Sequence, residues 1–477
     1  MPCRSDNPYD VAIVGGGVAG CYCAYRLARA DPTQRIVLIE AAPRLGGRLE
    51  TKFFPNVSTP VELGGAFVTD LHPRTCTLLR ELDLELTPVT WSRRFCFIRG
   101  RRFTDRDCKE ASDSIPYELG ASERGRTPVE TLLEALNAIL PGVDELWPMN
   151  RQGSPEEVAR RLRETRFEGK VLDDWEIGAL LRRVMSGEAH CALMETFGAA
   201  SNFQGASAYD AMRTLMGELA PQRAFVVKQG FQRLPEELAS RSGVEVRAGA
   251  RLEAVAAARD GVSLGHGNGD RISAKRVILA LPRVAIEAIR FDASPEALRA
   301  FRAMLSKVRA VPALKLYMAF ERAWWSEQRS EIAASFTDLP MQQCYYFDAP
   351  SGSAALLLAV FADDERALDW QARHAAGEAV AVSPELVESA MQQLRIMHPE
   401  LRIPEPIGAK ARAWPGAWHA WRPGAQSWRS AHAVLGPHLD LPLYVCGEAY
   451  SDRQGWVEGA VESTSHMLRL HFELDDN

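Results

Sequence analysis

The sequence predicts a mixed α/β (α+β) fold that begins with a nucleotide-binding strand–turn–helix–strand unit, and three observations carry this expectation. The apolar run Val11-Ala12-Ile13-Val14 enters Gly15-Gly16-Gly17-Val18-Ala19-Gly20, and a second run, Ile36-Val37-Leu38-Ile39, ends on Glu40. From about Thr75 to Gln222 the chain turns more charged, with apolar residues at helical spacing. Strand-like runs then return at residues 225–231, 243–247, 252–255, 276–282 and 443–448.

Each glycine of the first turn has its own physical reason. Gly15 lets the chain turn sharply, Gly17 removes the Cβ that would bar a pyrophosphate, and Gly20 lets helix and strand pack closely. The phosphates would then lie on a helix N-terminus, whose free N–H groups point at them. Glu40 follows Gly20 by twenty residues, the spacing at which a carboxylate accepts hydrogen bonds from a ribose diol. Its negative charge favours a free 2′-hydroxyl over a 2′-phosphate. Arg44-Leu45-Gly46-Gly47-Arg48 adds a second glycine turn and two guanidinium groups suited to a diphosphate. In these residues the chain resembles the flavin amine oxidases and their relatives, which include phytoene desaturases and protoporphyrinogen oxidases.

Composition excludes several classes. At 477 residues and 46% hydrophobic side chains, the chain can build more than one core, and length alone suggests about three domains. A net charge of −6 gives no reason to expect nucleic acid or an anionic membrane as partner. The nine cysteines are scattered, odd in number and free of any CxxC pair, which suggests a reducing compartment and no metal. No apolar leader precedes the first strand, and no run reaches the ~18 residues of a spanning helix. A cytoplasmic location follows as the expectation, and the resemblance leaves room for a homodimer.

Further along, Val61-Glu62-Leu63-Gly64-Gly65-Ala66-Phe67-Val68 places two glycines among apolar residues, suggesting close backbone approach to something flat. The resemblance implies that Gly64, Gly65, Ala66 and Phe67 lie along the flavin ring. Many similar L-amino-acid oxidases carry a carboxylate-gripping arginine just after these glycines. Here that position is Phe67, an aromatic as in monoamine oxidases. Capping boxes at Thr127-Pro128-Val129-Glu130 and Ser154-Pro155-Glu156-Glu157 open helices, and Ser383-Pro384-Glu385 opens another. Ile177, Leu180, Leu181, Val184 and Met185 form a stripe read as packing.

Lys315 stands alone in the apolar strand Val311-Pro312-Ala313-Leu314-Lys315-Leu316-Tyr317, where burial is costly without a partner. Alternation favours an outward side chain, whereas the resemblance implies a lysine that holds a water near flavin N5. Trp414-Pro415-Gly416-Ala417-Trp418-His419-Ala420-Trp421 reads as an aromatic cluster in a turn-rich loop. The resemblance implies that Trp418 and Trp456 flank the amine. Ala417 stands where covalent relatives carry a cysteine, so FAD should be non-covalent. Leu252 would hold the adenine through its backbone, and Gly447 and Glu448 would meet the ribitol and phosphate side. Gly455, Trp456 and Val457 would complete the cofactor cradle.

The resemblance also implies a two-domain, p-hydroxybenzoate-hydroxylase-like architecture with a Rossmann-like FAD-binding domain. That domain would comprise residues 1–75, 222–290 and 409–477. Residues 76–221 and 291–408 would form the substrate domain, helical over about 110–221. The expected reaction is oxidative deamination of an L-amino acid with an apolar or aromatic side chain, by hydride transfer to FAD. Dioxygen would reoxidise the flavin, giving hydrogen peroxide, while the imine hydrolyses to keto acid and ammonia. For such a substrate Arg74 and Arg93 are candidate carboxylate anchors. Oxidation of a plain amine is the alternative, and a desaturase or porphyrinogen-type oxidase a more remote one.

Overall fold

The structure, a computed structural model, describes residues 8–475 apart from 90–93, 112–114, 144–154, 219–222, 268, 327–331, 348, 350–352 and 375–381. The candidate anchor Arg93 and the cap residue Ser154 lie outside the described residues.

Two large sheets organise the chain. In the first, the parallel strands Glu245–Arg247, Ile36–Ile39, Tyr9–Val14, Arg271–Leu279 and Leu443–Val445 lie side by side in that order. Leu252–Ala258 and Gly261–His266 extend it as an antiparallel meander that ends on Arg290–Phe291. In the middle of this sheet Ile36–Ile39 and the segments 11–14 and 277–279 are fully buried apolar runs because both faces are covered. Helices Val18–Ala30 and Val457–Phe472 pack on each other beside this sheet, and one core joins them to it.

The second sheet runs in the order Gly408–Trp421, Val308–Phe320, Ala355–Asp363, Gln343–Tyr346, Ala334–Thr337, Arg94–Ile98 and Arg101–Phe103. One face buries Leu314, Leu316 and Met318 with the helix Pro384–Met397. The other, through Tyr317, Ala319, Leu356 and Leu358, packs on Val57, Val61 and Leu63. A separate helical core includes Ile177, Leu180 and Leu181 of the expected stripe, with Val184 and Met185 against its edge. The stripe falls on the helix Ile177–Val184, with Met185 as its C-cap, and a second helix, Gly187–Thr196, follows at once, capped by Ser186 through the N–H of Ala189. The Thr127–Glu130 capping box forms, and Ser383 caps the helix Pro384–Met397.

One sequence expectation is corrected here. Residues 414–421 are not a loop: they complete the fourteen-residue edge strand Gly408–Trp421. Pro415 and Gly416 suggested a turn, but an edge strand has one side free of ladder bonds and tolerates proline there. A register shift opposite Val311 and Ala313 takes up the irregularity. The strand therefore belongs to the second sheet, although residues 409–421 were expected within the nucleotide domain, and it delivers Trp418 to the junction of the two sheets.

Candidate active site

The glycine turn meets the physical demands of a diphosphate. A Cβ on Gly15, whose φ is +111°, would lie 2.4 Å from the Ala280 carbonyl oxygen, and one on Gly20 1.9 Å from that of Gly15. Both positions are therefore fixed by protein packing. Gly17 differs: a Cβ there would meet only Gly46 and Gly47, at an ordinary contact distance of 3.9 Å, so protein packing does not require this glycine. The helix Val18–Ala30 starts on Gly17 with no side-chain cap and no acid in its first turn. Its leading N–H groups thus suit an anion.

Glu40 stands beside this turn, accepting from Gly16 N at 2.6 Å and Ala42 N at 2.7 Å. Each carboxylate oxygen keeps capacity for a ribose hydroxyl. Leu252 follows Ala250, whose N–H donates to the Glu40 carbonyl, so the expected adenine strand and ribose acid are adjacent. Arg44 departs from expectation. Its guanidinium binds the carbonyls of Leu45, Gly47 and Leu49 and the carboxylate of Glu50, and so holds its own loop rather than offering itself to a diphosphate.

Arg48 and Glu448 form the centre of the site. Nη1 of Arg48 donates to Glu448 Oε2 at 2.7 Å and to the Ala417 carbonyl at 3.1 Å. The same Glu448 carboxylate accepts from Gly455 N at 2.7 Å, His419 N at 2.9 Å and His419 Nδ1 at 3.0 Å. Despite its burial, the charges of Arg48 and His419 and these N–H donors hold it well below the usual carboxylate range. Gly447, with φ at +130°, makes the sharp entry into this acid.

Residues 62–67 thread between the Arg48 loop and the second sheet. Gly65 N donates to the Arg48 carbonyl, and Leu63 N to that of Glu50. A Cβ on Gly64 would lie 1.8 Å from the Arg48 oxygen, and one on Gly65 2.7 Å from Leu49 Cδ2. Backbone packing thus already accounts for Gly64, whereas at Gly65 only the tip of the Leu49 side chain would have to give way. Gly65, Ala66 and Phe67 keep partly open surfaces.

Lys315 points inward and is 7% exposed, against the outward reading by alternation. The sheet buries both faces here, so alternation carries no information about polarity. Nζ donates to the Gly64 carbonyl at 2.6 Å and the Glu62 carbonyl at 3.3 Å, and lies 5.0 Å from the Phe361 ring centroid. Burial lowers its pKa to about 8, opposed by the Glu62 charge. Burial likewise raises Glu62 to about 7, moderated by bonds from Phe231 N and Thr51.

Aromatic rings close the remaining side. Trp456 meets Phe67 edge-on at 5.4 Å and His72 at 4.5 Å, while Trp418 meets Phe361 at 6.4 Å. Gly455 links the two tryptophans, since a Cβ on it would fall 3.9 Å from Trp418. Val457 opens the final helix, whose Glu458 accepts from Arg74 N, Thr75 N and Thr75 Oγ1. His419, His72, Phe361 and Glu458 escaped the sequence reading.

A family model described as flavin containing amine oxidoreductase matches residues 18–464. The chain belongs to this family. Among its relatives, Aplysianin-A of Aplysia kurodai is 26% identical, covering 98% of this chain and 91% of the relative. Achacin of Lissachatina fulica is 24% identical over 97% and 93% respectively. An L-amino-acid oxidase of Mus musculus is 24% identical over 99% of this chain and 72% of its own. Redesigned putrescine oxidase shares the fold, with a TM-score of 0.70 at 20% identity, covering 98% of this chain and 99% of that one. The cofactor of this flavin amine oxidoreductase is FAD, and the glycine turn, the uncapped helix and Glu40 suit its adenosine diphosphate half.

Proposed function

We propose that the protein is an FAD-dependent oxidase that deaminates an L-amino acid with an apolar or aromatic side chain. The observation that carries this reading is the convergence of a buried lysine, Lys315, and the aromatic residues Phe67, Trp418 and Trp456 beside the Arg48–Glu448 pair. Bound FAD would take two electrons from the carbon bearing the nitrogen and pass them to dioxygen, releasing hydrogen peroxide and an imine that hydrolyses to keto acid and ammonia.

The chain's own residues orient and enclose. Trp418 and Trp456 align the amine with their indoles, whose faces attract its protonated form. Lys315 holds a water, using protons not spent on the Gly64 carbonyl. Arg48, Glu448 and Gly455 tie the loop that carries Trp456 to the nucleotide domain. Gly64, Gly65, Ala66 and Phe67 line the ring. Ala417 has no nucleophile, which supports non-covalent FAD. The eight described cysteines are all unpaired, which supports a reducing, cytoplasmic compartment.

Phe67 favours a second reading, an amine without an α-carboxylate, because its ring packs on Trp456 where a gripping cation would otherwise stand. A peroxide assay over amino acids and their decarboxylated amines tests both. Turnover of tryptophan but not tryptamine supports the first reading; the reverse supports the second.

A further inference from the structure

His72 lies outside every role assigned above, yet its ring centroid is 4.5 Å from that of Trp456, nearer than the 5.4 Å of Phe67. Nδ1 of His72 accepts from Thr69 N at 3.2 Å, which leaves the ring proton on Nε2 in the neutral form. The next helix, Pro73–Glu81, begins immediately after it, and Glu458, two residues beyond Trp456, binds the backbone N–H groups of Arg74 and Thr75. Phe67 and His72 therefore hold the segment 456–458 at Trp456, and Thr75 holds it at Glu458.

We propose that His72 is a positioning residue for the amine cage, its imidazole ring bracing the indole of Trp456 so that the indole is preset before substrate arrives. This rests on the oxidase reading, in which Trp456 faces the amine. Burial and the adjacent Arg453 hold His72 at about 4, outweighing the pull of Asp70, so the brace is uncharged at neutral pH. An uncharged ring matters because a cation against the indole would compete with the ammonium for the same π system. A preset indole spares substrate binding the cost of ordering it.

The test uses full-length, FAD-loaded protein, with L-phenylalanine and phenethylamine as probes and anaerobic flavin reduction as readout. His72→Asn removes the ring but supplies a side chain favoured at a helix N-cap, whereas His72→Phe keeps a ring and drops the nitrogen atoms. Bracing predicts that His72→Asn raises the half-saturating concentration of the reactive probe about tenfold and leaves the maximal rate within about threefold, with His72→Phe close to wild type. The opposite ranking, with His72→Asn like wild type and His72→Phe impaired, assigns His72 to backbone structure and overturns the inference alone. Wild-type flavin unreduced by either probe overturns the oxidase reading for aromatic substrates and the inference with it.

Discussion

Arg48 and Glu448, four hundred residues apart in sequence, meet at 2.7 Å, each carried by the chain that follows a parallel strand of the first sheet. Around the same carboxylate gather His419, from the edge strand of the second sheet, and Gly455, from the loop before the last helix. Three distant segments are thereby fixed by one buried charge. Glu448→Gln leaves the partly exposed Arg48 guanidinium without its counter-charge, a loss of about 1–3 kcal/mol. The expected outcome is a lower melting temperature and faster loss of flavin on gel filtration.

Gly17 and Gly20 should behave oppositely. A methyl at Gly20 collides with the Gly15 carbonyl, so Gly20→Ala should destabilise the fold by about 3 kcal/mol in denaturant titration. A methyl at Gly17 would make only ordinary contacts, with Gly46 and Gly47 at 3.9 Å. Gly17→Ala should therefore keep its folding midpoint in apo form while weakening FAD binding, measured by fluorescence quenching.

Lys315→Met removes the buried ammonium but not its alkyl packing. If Lys315 holds the water, turnover should fall by about a hundredfold with flavin content unchanged. An unchanged rate in a peroxide assay would count against that role.

Stability should also depend on pH through this lysine. Its folded pKa, about 8, lies below the ordinary 10.5, so between these values the unfolded chain binds the proton that the folded chain has shed. Stability contributed by Lys315 thus rises with pH across that window, by at most about 3 kcal/mol. The stability difference between wild type and Lys315→Met, from urea unfolding at pH 8 and pH 10.5, should shift in favour of wild type.

Much of this was legible in the sequence. The glycine turn, Glu40 and the strand ends were readable because each depends on local chain geometry. Lys315 was ambiguous because burial on both faces erases the two-residue alternation that normally tells inside from outside. The edge strand was hidden because Pro415 and Gly416 mimic a turn; they sit in the register shift, and only the pairing of Trp414 and Trp418 on either side with Val308–Phe320 keeps the strand continuous. His72 and Trp456 become neighbours solely through folding, with no spacing that could have announced their contact.

The measurement closest to the central claim is the visible spectrum of the purified protein during anaerobic titration with apolar and aromatic L-amino acids and their decarboxylated amines. The account predicts a yellow protein whose flavin absorbance bleaches with one of these sets and returns on admitting oxygen. A colourless protein that does not take up FAD, or a flavin that stays oxidised with every amine offered, would contradict it.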